Sequence, residues 1–203
     1  MSNPLAIKVY IIDDDLSVAS ATRELLTASG FDAREFQSPL SFLEQVNGRE
    51  PGCVVTDLAM DELDGMEVLN RLNAMKSCMA VIFTTGFVSA SQSVEMAQNG
   101  AVTVLTKPYR QTDLVNAVEK AIKISLAKLK EASRILEIEE RLASLSDEER
   151  RVLDLASEGM TNRTISEVLI VSERTVDRRR SSALEKLKIN SLVEYSLLKR
   201  ELK

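Results

Sequence analysis

The chain contains no histidine among its 203 residues. That absence excludes histidine-ligated metal sites, Ser/His/Asp triads and any phosphohistidine carried on this chain. Cysteine is nearly as scarce. Cys53 and Cys78 each stand beside an apolar stretch, which reads as two reduced core thiols and not as a disulfide framework. No apolar run approaches the roughly 20 residues that span a bilayer, and residues 1–8 carry no signal-peptide pattern. The expectation is a cytoplasmic protein with no membrane partner. Internal repeats and low-complexity tracts are also missing.

What is present is an ordinary globular composition, 44% hydrophobic and 28% charged, with a net charge of −5. The acidity is unevenly placed. Residues 144–203 hold 12 basic and 11 acidic side chains, net +1, which leaves 14 and 20, net −6, for residues 1–143. A basic footprint for nucleic acid, if there is one, must therefore be local and C-terminal.

Between residues 7 and 124, short β-branched runs alternate with amphipathic stretches. Strands are expected at 7–12, 31–35, 53–56, 81–84 and 102–105, and helices near 16–28, 39–47, 65–75, 90–98 and 111–124. Ser38 followed by Pro39 marks one helix start. This alternation predicts an α/β fold, a doubly wound five-stranded parallel sheet whose sites form at the carboxyl ends of strands. The fifth helix has no stop signal, since residues 112–142 contain neither Gly nor Pro. Val115, Val118, Ile122, Leu129, Ala132 and Leu136 give a rough heptad rhythm, broken at Ser125 and Glu139. This connector reads either as a short coiled coil or as a solvated helix lying on its own domain. Beyond it, Ser146 and Glu149 form a capping box and Gly159 closes that helix. Two further helices near 161–169 and 172–187, joined by a very short turn, and a last one near 191–198 make a separate all-α helix-turn-helix domain. The expected division is 1–124, a helical linker at 125–143, and 144–203.

The chemistry concentrates at strand ends. Asp13, Asp14 and Asp15 follow the first strand, Asp57 follows the third, Thr85 the fourth and Lys107 the fifth. Carboxylates this close are costly without a cation, and oxygen-only ligands with open positions suit Mg²⁺. A carboxylate beside Mg²⁺, with a lysine and a hydroxyl to hold phosphoryl oxygens, can accept a phosphoryl group. Any one of these acids alone would be a turn residue or a cap. In the C-terminal part, Arg178, Arg179 and Arg180 concentrate positive charge on the longest helix, off the apolar stripe of Val176, Ala183, Leu184 and Leu187.

Those residues carry a resemblance. Residues 5–124 resemble the receiver domain of bacterial two-component response regulators in four segments: 11–15, 55–58 with Gly65, Thr85 with Gly86, and 105–108 ending in Lys107 and Pro108. Thr85 and Lys107 lie 28 and 50 residues past Asp57, as in that family. Residues 145–198 resemble the LuxR-type helix-turn-helix of the NarL/FixJ class through Glu149 and Arg150, residues 158–162, Ile165 and Ser166, residues 172–176, Lys186 and Leu187, and residues 191–194.

The resemblance implies that Asp57 is the phosphoacceptor and that Asp13, Asp14, Asp57 and the Ala59 carbonyl serve Mg²⁺. It implies that Thr85 and Lys107 act as switch and phosphoryl-binding residues, with Pro108 in cis. It implies that Arg174, Thr175, Asp177, Arg178 and Ser181 meet DNA, and that the partners are a cognate histidine kinase, double-stranded DNA and a second copy in a homodimer. Such a protein is not a conventional enzyme. Asp61 stands where the family carries proline, Val104 where it carries an aromatic switch residue, and bulky Phe87 two residues after Thr85 is expected to slow hydrolytic water. Asp177 stands where a basic residue is frequent and Arg178 where an apolar one is. Two other readings compete. The Asp13–Asp15 run also resembles haloacid-dehalogenase-type phosphatases, and a folded receiver that is never phosphorylated is the third reading.

Overall fold

A computed structural model describes residues 7–202, so most of the N-terminal stretch 1–8 considered above lies outside the described residues. Five strands form one parallel sheet: β1 (Lys8–Ile12), β2 (Asp32–Phe36), β3 (Gly52–Asp57), β4 (Ala80–Thr85) and β5 (Thr103–Thr106), in the order β2-β1-β3-β4-β5. Strand alternation feeds two cores. Tyr10, Ile12, Val54, Val81 and Phe83 face Phe42, Val68, Leu72 and Met96, whereas Val9, Ile11, Cys53, Val55 and Ile82 face Ala19, Leu26, Leu114 and Val118. The first set covers α2 (Pro39–Gln45), α3 (Gly65–Ala74) and α4 (Ala90–Gln98). The second covers α1 (Leu16–Ala28) and the start of α5 (Gln111–Ala143). Helix layers on both faces explain why the central strands are apolar throughout instead of alternating with polar residues. Both cysteines are free and buried, as expected.

Helices α1 to α4 each begin where a side chain can take up unpaired N–H groups. Asp15 accepts from Ser17 N and Val18 N at α1, Ser38 caps α2 with Pro39 at its start, Asp64 caps α3, and Ser89 with Gln92 forms a capping box at α4. Helix α2 stops two residues earlier than its pattern suggests, because Val46 is extended (φ −103°, ψ 136°). The Lys107–Pro108 bond is cis.

Helix α5 is continuous over 33 residues, about 50 Å at 1.5 Å per residue. The chain divides into two compact units within this helix, after Lys130. In the first unit its buried stripe is Leu114, Ala117, Val118, Ala121 and Ser125, while Val115 and Ile122 are half-buried. Ser125, where the heptad rhythm breaks, is fully buried, and its Oγ accepts a hydrogen bond from Gly52 N at the start of β3 (2.9 Å). Lys128 Nζ donates to the Met79 carbonyl just before β4 (3.3 Å). Up to this point α5 is the solvated helix lying on its own sheet, held by side chains that interrupt an apolar repeat. Leu126 and Leu136, in contrast, are 43% and 56% exposed.

The second unit comprises the last turns of α5, α6 (Asp147–Ser157), α7 (Asn162–Leu169), α8 (Glu173–Leu187) and α9 (Leu192–Glu201). Ser146, Thr161, Ser172 and Ser191 cap α6 to α9. Two apolar clusters lie beneath α8: Leu145, Leu153, Leu187 and Tyr195 in one, Val152, Ala156, Ile165 and Val176 in the other. Three residues join α7 to α8, and Ile170 takes the left-handed conformation there (φ +54°) with its side chain 91% exposed. A β-branched residue in that region is strained.

Replacing Ser125 by Ala leaves the Gly52 N–H buried without a partner. The substitution is expected to destabilise the first unit by about 1–3 kcal/mol, read as a lower urea midpoint at unchanged m-value.

Candidate functional site

Parallel pairing sets the site's geometry. β1 pairs with β3 and β3 with β4, with Ile12 beside Thr56 and Asp57 beside Thr84. The residues that leave these strands at their carboxyl ends therefore meet along one edge. A carboxylate oxygen from each of Asp13, Asp14 and Asp57 lies within 4.8 Å of the other two. Asp13 is 3% exposed, Asp57 is half-buried and Asp14 faces solvent. Lys107 Nζ bridges two of them, 2.8 Å from Asp13 Oδ2 and 3.0 Å from Asp57 Oδ2. Asp57 Oδ1 accepts from Leu58 N at 2.7 Å.

Burial raises the Asp13 carboxyl above its ordinary value, outweighing the contact with Lys107 that lowers it. At Lys107, burial works against the charged form, but the contacts with Asp13 and Asp57 prevail and hold its pKa above the usual lysine value. Three carboxylates share one ammonium, so about two negative charges remain unbalanced when all are ionised. The donors are all oxygen, with no imidazole or thiolate among them. This set fits a hard divalent cation such as Mg²⁺, and Asp13, Asp14 and Asp57 are the residues that would hold it. Ala59 lies exposed in the loop two residues past Asp57.

Thr85 ends β4 at the same edge and is 5% exposed, but its hydroxyl is turned toward its own loop. Oγ1 donates to the Phe87 carbonyl at 2.8 Å and accepts from Phe87 N at 3.3 Å. The structure thus brings Asp13, Asp14, Asp57 and Lys107 together and leaves the Thr85 hydroxyl engaged elsewhere. Phe87 is 79% exposed. Gly65 has a steric reason that its place in the motif did not disclose. A Cβ there would stand 2.4 Å from the Asp57 carbonyl oxygen and 2.9 Å from the Phe83 ring, so only glycine lets α3 start against the acidic residue.

In the second unit, Arg174, Asp177, Arg178 and Ser181 are all exposed on α8, opposite buried Val176, Ala183 and Leu187. Thr175 is half-buried, its hydroxyl 2.8 Å from that of the cap Ser172. Arg179 and Arg180 are half-buried on the flank of the same helix. Glu149 does more than cap. It is 7% exposed, accepts from Ser146 N (2.9 Å), and binds two side chains of α8, Ser182 Oγ (2.7 Å) and Lys186 Nζ (2.7 Å). Burial opposes its charge, but Lys186 and these hydrogen bonds prevail and hold its pKa at about 2. Sequence reading found only the capping box; nothing local signals that the same carboxylate anchors a helix more than 30 residues away.

The comparisons divide the chain as the structure does. Residues 9–119 match the response regulator receiver domain family, and residues 143–198 match the luxR family of bacterial regulatory proteins. The chain is 34% identical over 186 residues to the transcriptional regulatory protein FixJ of Bradyrhizobium diazoefficiens, covering 92% of this chain and 91% of that one. It is 31% identical over 195 residues to the response regulator protein TodT of Pseudomonas putida, covering 96% and 86%. Among solved structures it is similar to the response regulator StyR, with a TM-score of 0.83 at 28% identity over 97% of this chain and all of the other.

Glu149 has a depressed folded-state pKa, so its contribution is complete above the unfolded glutamate value, about 4.3, and is lost as pH falls through about 2. Glu149→Gln should cost the second unit roughly 2–3 kcal/mol at neutral pH and show a flatter stability profile between about pH 4 and 2. Denaturant melts of the full chain at several pH values, followed by a probe in the second unit, provide the check.

Proposed function

From the premise that this chain belongs to the two-component response regulators with a LuxR-type DNA-binding domain, we propose that Asp57 accepts the phosphoryl group and that residues 174–181 of α8 read the DNA target. Members of this group are transcription regulators, not conventional enzymes, and a receiver domain implies a histidine kinase as partner. The observation that carries the proposal is the position of Asp57. It ends a central strand, pairs with Lys107 and shares a pocket with two further carboxylates.

Phosphoryl transfer requires one Asp57 carboxylate oxygen to form a bond to phosphorus while the bond to the donor's leaving group breaks. Lys107 holds one oxygen of Asp57 and the Leu58 N–H the other, so the carboxylate is oriented before the donor arrives. A bound Mg²⁺ supplies charge neutralisation for the incoming phosphoryl oxygens. Lys107 offers them an ammonium, and Thr85 offers a hydroxyl once it leaves the Phe87 carbonyl. We assign Asp13 and Asp14 to the cation with Asp57, and the Ala59 carbonyl as a further ligand. An intact set of these residues favours this reading over a receiver that is never phosphorylated. The helical second unit has no place in the phosphatase reading.

The domain limits we propose are a receiver over residues 1–124, a connector over 125–143 and a DNA-binding domain over 144–203. The cell compartment we propose is the cytoplasm, supported by the proposed DNA target; no described helix is long and apolar enough to cross a membrane. A homodimer is supported by exposed Leu126 and Leu136 and half-buried Leu129 on α5. Val118 and Ile122 pack into the chain's own core and are not available to a second copy.

Acetyl phosphate with Mg²⁺ is expected to add one base-labile phosphoryl group per chain. Asp57→Asn and chelation of the cation should each abolish it, and undiminished labelling of Asp57→Asn would falsify the assignment. Sedimentation velocity on the same samples should show a heavier species after phosphorylation. In Leu126→Glu/Leu136→Glu that species should be lost; an identical shift in the variant would place the dimer contact elsewhere.

A further inference from the structure

Asp177 is an acid on the most arginine-rich stretch of the chain. Arg174 precedes it by three residues, and Arg178, Arg179 and Arg180 follow directly. Its carboxylate nevertheless enters no ion pair or hydrogen bond among the described residues. Several other acids of the second unit are engaged: Glu149 with Lys186, Asp154 with Lys199 and Tyr195, Glu167 with Arg163, and Glu194 with Ser191. Glu173 and Glu185 on α8 share with Asp177 the lack of a side-chain contact among the described residues. Nor does helix chemistry employ it. Ser172 caps α8, the first helical residue is Glu173, and Asp177 therefore lies beyond the first turn, where the helix dipole favours an acid. The residue is exposed and the packing of α8 rests on Val176, Ala183 and Leu187. The Asp177 carboxylate is therefore free to meet a ligand on the exposed face of α8.

DNA supplies a partner. A carboxylate facing the sugar–phosphate backbone weakens binding to every sequence, because it meets only negative oxygens. In the major groove the bases present two amino donors, adenine N6 and cytosine N4. The adenine amino stands next to the N7 acceptor, which repels an acceptor-only carboxylate. The cytosine amino has no ring acceptor beside it in that groove. We propose that Asp177 is a specificity-determining residue that accepts a hydrogen bond from the N4 amino group of a cytosine in each target half-site. The proposal rests on α8 being the segment that enters the major groove. The arginines flanking Asp177 then supply the attraction that allows an acid to approach DNA at all.

The test is selection from a duplex DNA pool with a randomised centre, using full-length protein treated with acetyl phosphate. Wild type, Asp177→Ala, Asp177→Asn and Arg178→Ala are compared by sequencing and by competition binding at fixed salt. Wild type should enrich one cytosine per half-site whose replacement weakens binding about tenfold. Asp177→Ala should lose the preference at that position alone, and Asp177→Asn should shift it toward adenine, whose N6 and N7 match an amide. If Asp177→Ala keeps the wild-type motif and binds every sequence more tightly, the carboxylate only repels phosphate and the proposal is overturned. In that case a changed motif in Arg178→Ala still supports reading by α8. If wild type enriches no motif, reading by α8 falls and the cytosine contact with it. Matching thermal melts of the variants exclude unfolding as the cause, and both substituted positions are exposed.

Discussion

Three carboxylates and one ammonium at the carboxyl edge of a parallel sheet set the terms for the whole first unit. Asp13, Asp14 and Asp57 repel one another, and Lys107 bridges only two of them. Such a cluster persists only on a scaffold that cannot relax it apart. The scaffold is the pairing of β1 with β3 and β3 with β4, apolar on both faces and covered by helices on both. Gly65 brings α3 against the Asp57 carbonyl at a distance no other residue permits. Asp15 spends its carboxylate on capping α1 and so adds no fourth acid to the pocket. The unbalanced charge is one that a divalent cation would neutralise, easing the proposed approach of phosphoryl oxygens.

The second unit is organised by an opposite device, a single buried carboxylate whose charge is fully compensated. Glu149 closes the capping box of α6 and takes one hydroxyl and one ammonium from α8. Breaking one partner of such a buried pair costs far more than the pair adds to stability. Its effect is therefore to hold α8 in one orientation, with Arg174, Arg178 and Ser181 turned away from the apolar clusters. The proposed reading of base edges by α8 would need the helix placed to a fraction of an ångström, and an apolar stripe alone permits sliding and rotation.

Much of this was legible in the order of residues. The strand-end acids, Lys107 and the caps are local signals: a β-branched run followed by a carboxylate, or a serine three residues before a glutamate, says where it sits. Most strand and helix limits lie within one or two residues of expectation for the same reason, whereas α9 runs three residues further, to Glu201. What stayed hidden was whatever depends on a partner distant in the chain. Ser125 looked like a fault in an apolar repeat because its partner, the Gly52 N–H, is 73 residues away. Glu149 looked like a cap because Lys186 is 37 residues away. Thr85 was expected to face the acids, but its hydroxyl finds a nearer carbonyl at Phe87. No periodicity reports a choice between two acceptors.

Helix α5 shows why a single repeat could not describe the connector. Its first four turns lie on the sheet, where Leu114, Val118, Ala121 and Ser125 fall three or four residues apart on the buried side. From Leu126 to Glu137 almost every residue faces solvent. At Ile138, 4% exposed, a second buried face begins, continued by Leu142 and Leu145, with Arg141 donating to the Leu187 carbonyl at the end of α8. Between the two stretches the apolar pattern lapses, so no single repeat runs through both. An apolar pattern fitted to the entire length averages over that lapse and returns a blurred heptad. Each half is amphipathic on its own terms, and the lapse falls where the chain divides into its two units, after Lys130.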